Sequence, residues 1–571
     1  MKIKSSALLK TIYVMISITI LYFALLPILS VFYYGITSRS ELRFSIQILQ
    51  RVWSHMKNSL QVAVVVTILS TSFGLLASIT LWRVKFLGRK LMRLFVLIPL
   101  INPAFVGSIA FIMLFGKRGL ITHTLLGFEV SPFGFHGIVT MQSIGLATLA
   151  YLIISSAIKK TDTSYEEAAR SLGASEGRIF RTITLPLMLP EITVAAMLVF
   201  LSSMSDFGTP IIIGGNFQTL ASDLYLQITG LYNMKTASIS GMFLFIPCFI
   251  AFFIQRHYSG KKLVYSHSIL GEGIEYIRIN RIVKFLLIGL TGIFVFFVVI
   301  QFAFIVIGAF TERWGYDYTF TLRYLKSILS KETAPFINSV KLAVVVSMIS
   351  SLLGVLLAYI IKSKRYPITK QIDLLATLPA AVPGILFGIG YLVTFKYPLF
   401  GIGKFIFSDT QPIILLGTGI IIYIICIYRY LYIGLKSGYA LMEHMNPNLE
   451  MAAINLGASE RRVFFDIVFP MLKPAFNVAF LKNFTSTMTT LGAIIFLILP
   501  KNKVAVQQIF QVMTSSEVGA AAMMALMLSL LSLTLLGVFQ FVFNHKEIFE
   551  RLREGWQWVS SLRKSPKNTE I

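Results

Sequence analysis

The chain is poor in cysteine, in acids and in charge of any kind, and each shortage closes off a class of function. Of 571 residues only two are cysteines, Cys248 and Cys426. Both lie within apolar runs, so they provide neither a disulfide framework nor metal-ligand spacing. Charged residues make up 13%, and 25 acids face 51 lysines and arginines. With 56% apolar residues and a mean hydropathy of +0.76, a soluble domain would expose large apolar patches. The seven histidines form no H-E-x-x-H or other clustered ligand spacing, so no metal site is assigned. No nucleophile–base pair stands out, so no catalytic residue is assigned and the chain does not read as an enzyme. A nucleotide-binding G-x4-G-K-[S/T] is also missing. The nearest piece, Ser259-Gly260-Lys261-Lys262, lacks the upstream glycine. The alternation of barrel strands is absent as well.

What the chain has is long apolar runs. Twelve are long enough to cross a bilayer as helices, near residues 11–34, 58–82, 92–115, 137–157, 191–214, 238–256, 284–310, 338–361, 373–395, 412–434, 475–500 and 520–543. The fold class is therefore all-α and polytopic. The first run is too long for a cleaved signal, and no A-x-A site follows it. With the N-terminus placed in the cytoplasm, 33 of the 51 lysines and arginines lie in or beside the inner segments and 15 in the outer ones. That bias predicts both termini inside. The same asymmetry, facing anionic lipid, accounts for the net charge of +26. The basic residues are spread over short loops, so nucleic acid is not an expected partner.

The chain also repeats itself. Residues 166–176 (EEAARSLGASE) and 450–460 (EMAAINLGASE) share eight of eleven positions at an offset of 284. Residues 58–74 and 338–354 share eight of seventeen at an offset of 280, and Pro99 and Pro103 match Pro379 and Pro383 at that same offset. A duplication of this size means two units: residues 1–256 and 284–543, six spans each, joined by a cytoplasmic linker 257–283 and followed by a basic tail 544–571. An even span number gives both units one orientation, related by a pseudo-twofold axis along the membrane normal, with a pathway at that axis. Spans 191–214 and 475–500 should face each other across it. The paired prolines should interrupt corresponding spans.

Each polar repeat reads as a short helix within a segment (163–190 and 446–474) that ends in Pro186 and Pro190 or in Pro470 and Pro474. Thr163 with Glu166 makes a capping box, and Asn446 with Pro447 opens the second copy. Gly173 and Gly457 fall where a left-handed residue ends a helix. Tyr165, Ala168, Ala169 and Leu172 lie at i, i+3, i+4 and i+7, as do Leu449, Ala452, Ala453 and Leu456. Each set is one apolar stripe suited to a partner's groove. Ser175 and Ser459 open the helix that follows.

The pattern E-A-A-x3-G followed by I-x-L-P resembles the coupling motif in the membrane subunits of bacterial type I ABC importers. Here it is Glu167-Ala168-Ala169, Gly173 and Ile183-Thr184-Leu185-Pro186. In the second copy Glu450 matches Glu166, but Met451 stands where Glu167 does and Phe469 replaces the leucine. The resemblance implies that each motif docks into a cytoplasmic ATPase subunit, two copies in all. ATP and Mg would then belong to those partners, with no cofactor in this chain. It further implies alternating access and an extracytoplasmic solute-binding protein, in the bacterial plasma (inner) membrane. Fusion of both halves is similar to the ferric-iron importer permeases, and also to some thiamine and phosphonate ones.

Asp206, in SMSDFGTPIIIGG (203–215), stands sixteen residues beyond Pro190, about 24 Å of helix. An acid that deep faces the interior or water, and it suits a hard cation such as ferric iron. The alternative is a structural acid bonded to a neighbouring helix or to the Gly208–Pro210 bend. Thr490 is its counterpart in the other half. Lys482 is the deepest cation and would suit an anion path instead, while Lys341 and Arg429 lie near span ends and can reach the headgroups. A secondary transporter would need coupling carboxylates in both halves, and Asp206 is the only candidate.

Overall fold

The computed structural model describes residues 7–37, 42–101, 103, 105–127, 132–160, 163–259, 276, 277, 279–362, 366–396, 415–443, 445, 448–515 and 517–563. Most of the expected linker, the cap residues Asn446 and Pro447, and the end of the tail lie outside them. Among the described residues ten helices are long and apolar enough to cross a membrane: Lys10–Thr37, Ile46–Arg83, Phe135–Lys159, Glu176–Ser205, Met234–Ser259, Arg281–Ala309, Ala334–Lys362, Ile420–Met442, Phe464–Met488 and Val518–Phe543. One further apolar pair is bent, Thr369–Ala380 and Gly384–Lys396 meeting at 108° around Pro383, the geometry of a broken span or a re-entrant loop. The expected span 92–115 is two short helices, Arg89–Leu97 and Val106–Phe115, on either side of Pro99 and Pro103. The paired prolines thus break corresponding segments of both halves, because each removes a backbone donor and crowds the preceding turn. Among the described residues the one departure from all-α is a hairpin, Thr311–Arg313 with Asp317–Phe320. Its turn carries Gly315 at φ +82°.

The repeated sequences make repeated contacts. The Asn58 side chain donates to the Gln218 carbonyl (2.9 Å), and the Ser59 hydroxyl accepts from the Leu220 amide (2.7 Å). In the other half Asn338 donates to the Lys503 carbonyl (3.0 Å), and Ser339 accepts from the Ala505 amide (2.8 Å). Each Asn-Ser pair thereby seats a short helix, Leu220–Thr229 or Ala505–Thr514, against a long one. Gly74 and Gly354 also correspond. A Cβ at Gly74 would lie 2.6 Å from the Ala150 Cβ, and one at Gly354 2.5 Å from the Leu431 carbonyl. Small residues there let the crossing backbones touch.

The first helix of each half packs on the other half. Lys10–Thr37 lies against Gly384–Lys396 and Ala334–Lys362, and it is tied there by Tyr13 donating to the Pro367 carbonyl (2.7 Å) and Tyr391 to the Phe23 carbonyl (2.6 Å). Arg281–Ala309 lies against Val106–Phe115 and the first-half helices beside it. Just beyond it, Trp314 donates to the Met113 carbonyl (3.0 Å). The expected pairing of spans 191–214 and 475–500 is not seen along their lengths. The first breaks at Asp206, the second ends at Met488, and the halves meet beyond those ends, through Gly208–Ile213 against Ala505–Thr514.

Candidate coupling surface and buried acid site

The motif helices are Ser164–Ser171 and Asn448–Asn455. Gly173 (φ +82°) and Gly457 (φ +87°) are left-handed as expected. The amide of Ala174 reaches the Ala169 carbonyl (3.0 Å), and that of Ala458 the Ala453 carbonyl (3.1 Å), a Schellman closure in both copies. The capping box does not form: the Thr163 side chain makes no cap bond, and its carbonyl takes the Glu166 and Glu167 amides instead. The Glu166 carboxylate is engaged elsewhere. It is buried, pairs with Arg83 at the end of Ile46–Arg83, and accepts from the Thr184 hydroxyl (2.8 Å). In the second copy Glu450 accepts from the Tyr359 hydroxyl (3.2 Å). Each helix is therefore fixed to the membrane body by its acid.

That anchoring leaves the apolar stripe outward. Tyr165, Ala168 and Leu172 are exposed, as are Leu449, Ala452 and Leu456, while Ala169 and Ala453 are half-buried. Leu172 and Leu456 are 89% and 88% exposed, so the stripe does not pack back on its own spans. Glu167 and Met451 are exposed beside it. Ser459 accepts from the Arg462 amide (3.4 Å), whereas Ser175 holds the cap position without a side-chain bond. Pro186 and Pro470 each follow a five-residue π-helical turn, Phe180–Thr184 and Phe464–Val468. The wide turn accommodates the ring where an i−4 bond is missing.

Asp206 ends the helix before it. Its Oδ1 accepts from the Thr209 amide (3.1 Å) and its Oδ2 from Gln142 Nε2 (3.0 Å), and Gln142 Oε1 accepts from Ser203 (2.5 Å). The acid thus holds both the bend and the neighbouring helix, and it also lines a cavity of about 220 Å³ with Pro103, Gly145, Ser202 and Gln301. Gln301 belongs to the exchanged helix, so both halves enclose this space. Thr490 is buried beyond the second helix, and Lys482 is exposed and does not line the cavity. Arg429 does not reach for headgroups: Nη1 donates to the Val382 carbonyl (3.1 Å) inside the 108° break. Its place was hidden because the break lies 47 residues away in the chain.

Between the halves, Phe207 and Tyr225 of the first meet Phe496 and Phe510 of the second. Phe207 and Phe510 lie 5.7 Å apart by ring centroids, and Tyr225 and Phe510 5.8 Å. Phe105 joins them at 5.5 Å from Phe510. This cluster lies beyond the helix breaks, at the end opposite the motif helices. No spacing in the sequence announced it.

A family model described as binding-protein-dependent transport system inner membrane component matches the chain twice, over residues 70–264 and 350–546. The ferric transport system permease protein FbpB of Actinobacillus pleuropneumoniae is 30% identical over 475 residues, 81% of this chain and 67% of that protein. The putative ferric transport system permease protein FbpB 1 of Haemophilus influenzae is 30% identical over 496 residues, 85% of this chain and 76% of its own length. The molybdenum transport system permease protein ModB of Escherichia coli matches 31% of this chain, over 80% of its own length, at 33% identity. With two family segments, two motif helices and, among the described residues, ten membrane-length helices, the chain belongs to the binding-protein-dependent transport system inner membrane components, the multi-pass permease subunits of ABC importers.

Proposed function

We propose that this permease carries ferric iron inward, driven by two copies of a cytoplasmic ATPase and supplied by an extracytoplasmic binding protein. The observation that carries the coupling half of this reading is the pair of outward apolar stripes, each on a helix fixed from behind by an acid, Glu166 buried and Glu450 half-buried. A short apolar face of that kind fills a partner's groove, and two such faces fit two partners. ATP and Mg belong to those partners. The lysine and arginine bias supports a cytoplasmic place for both termini and both motif helices. The cargo reading is supported by the names of the two long relatives and by the oxygen-rich surroundings of Asp206, since ferric iron prefers oxygen ligands.

Alternating access assigns a role to parts already described. The aromatic cluster Phe105, Phe207, Tyr225, Phe496 and Phe510 closes the seam at the outer end, while Glu176–Ser205 and Phe464–Met488, nearer the motif helices, pack on helices of their own halves rather than on each other. Thr490 and Lys482 lie on the second-half side of that path. The binding protein docks outside, where a cavity of about 820 Å³ is lined by Lys117, Arg118, Arg313 and Arg323 from both halves. The test is uptake of radioactive ferric iron into proteoliposomes holding the permease, its ATPase and its binding protein. Uphill accumulation should require ATP and all three components. Accumulation of a phosphonate, thiamine or molybdate in place of iron would overturn the cargo, and uphill transport by the lone chain would overturn the ATPase coupling.

A further inference from the structure

The internal repeat allows the Asp206 cavity to be compared with its own counterpart in the second half. At offset 280 Pro103 corresponds to Pro383, and at offset 284 Gly145, Leu146, Ser202, Asp206 and Thr209 correspond to Arg429, Tyr430, Ser486, Thr490 and Ala493. The counterpart space is filled. The Arg429 guanidinium lies against Gly384 and bonds to the Val382 carbonyl, on either side of Pro383. The same Gly384 position borders the Ala493 amide. Tyr430 donates to the Ser486 carbonyl (3.0 Å). So where the second half places a fixed cation and no acid, the first half places an acid, no side chain, and an opening.

Gly145 leaves that opening. A Cβ built on it meets nothing within 4 Å. Among the described residues no cation pairs with Asp206, whose bonds come from neutral groups: the Gln142 amide nitrogen, the Thr209 hydroxyl and the backbone N–H groups of Gly208 and Thr209. A carboxylate at such depth stays ionised only with a compensating charge. Ser202, Thr209 and Gln301 add oxygens to the lining, a donor set for a hard cation, and 220 Å³ leaves room for the ion and several of its waters.

We propose that the Asp206 cavity is a one-sided cation site: in the first half a mobile hard cation occupies the place that the Arg429 guanidinium fills permanently in the second. The assignment deepens the cargo reading above, in which that cation is ferric iron in transit, and rests on it only for the identity of the ion.

The experiment uses the assembled transporter in neutral detergent with terbium(III), a luminescent hard trivalent cation, alongside ferric uptake in proteoliposomes. The wild type should bind terbium with partial loss of its water shell, read from luminescence lifetimes in H2O and D2O. Gly145→Arg, which places a guanidinium at the repeat-related position, should abolish that binding and lower ferric uptake at least about tenfold. Asp206→Asn keeps the cavity volume and should do the same, so it serves if Gly145→Arg fails to assemble with the ATPase. Gly145→Ser adds an oxygen without charge and should keep both signals. Terbium binding or ferric uptake undiminished in both Gly145→Arg and Asp206→Asn overturns the site. A terbium site that behaves as described in a transporter that carries no ferric iron leaves the site standing and sinks the cargo reading instead.

Discussion

Replacing Arg83 by methionine should release the first motif helix while leaving the membrane body folded. The Arg83 and Glu166 side chains are 4% and 3% exposed, so removing the cation strands a carboxylate that keeps only the Thr184 hydroxyl. Breaking a buried pair from one side costs about 3–5 kcal/mol. At about 1.4 kcal/mol per tenfold, the undocked helix gains roughly two to three and a half orders of magnitude in population. An eight-residue helix does not hold its shape once undocked. Amide exchange of residues 164–171 should therefore accelerate by that factor, while residues 448–455 remain protected. Adding Glu166→Met to Arg83→Met removes the stranded charge and should recover much of the protection. Equal exchange in the wild type and in Arg83→Met would refute the anchoring argument, and so would a double variant worse than the single one.

Gly173→Val and Gly457→Val place a β-branched residue at φ +82° and +87°. With nothing within 4 Å of the new Cβ, the cost is conformational, about 1–3 kcal/mol each; co-purification of the ATPase should fall, and asparagine at the same positions should largely spare it. Gly354→Leu drives a side chain into the Leu431 carbonyl, 2.5 Å from the Cβ position, and should lower the thermal midpoint in detergent through about 1–3 kcal/mol of overpacking or more, whereas Gly289→Leu, open on all sides, should not. Cysteines replacing Phe207 and Phe510, whose rings stand 5.7 Å apart, should be bridged by a short bifunctional methanethiosulfonate, which stops uptake until the bridge is reduced; uptake unaffected by the bridge would mean that this cluster does not open during transport.

The parts of the fold visible in the sequence were those with a local cause. Proline positions gave the broken segments, the glycines after each motif gave the helix ends, and the i, i+3, i+4, i+7 stripes gave the outward faces. Pairings that depend on chain folded from far away were not visible. Thr163 and Glu166 had the spacing of a capping box, but Arg83 lies 83 residues back and takes the carboxylate, because a charge-assisted bond out of water outweighs a cap in it. Arg429 looked like a span-end residue because nothing local marks the turn it enters. Asp206 stands out in the sequence for its depth and for the lack of an acid at Thr490. Its bonds to the bend and to Gln142 fit the structural alternative stated for it, but its place in a cavity needs Gln301, 95 residues after it. The hairpin 311–320 was missed, although its alternating Asp-Tyr-Thr-Phe run and the glycine turn before it are a weak strand signature.

The exchange of first helices has a mechanical corollary. Neither half completes its own outer wall, so the polypeptide behaves as two clasped hooks whose grip does not depend on the tether between them. Cutting that tether, or making the halves as separate chains, should still yield a paired assembly. A lone half should expose the bare flank where its neighbour's leading helix belongs, and should be cleared or aggregate.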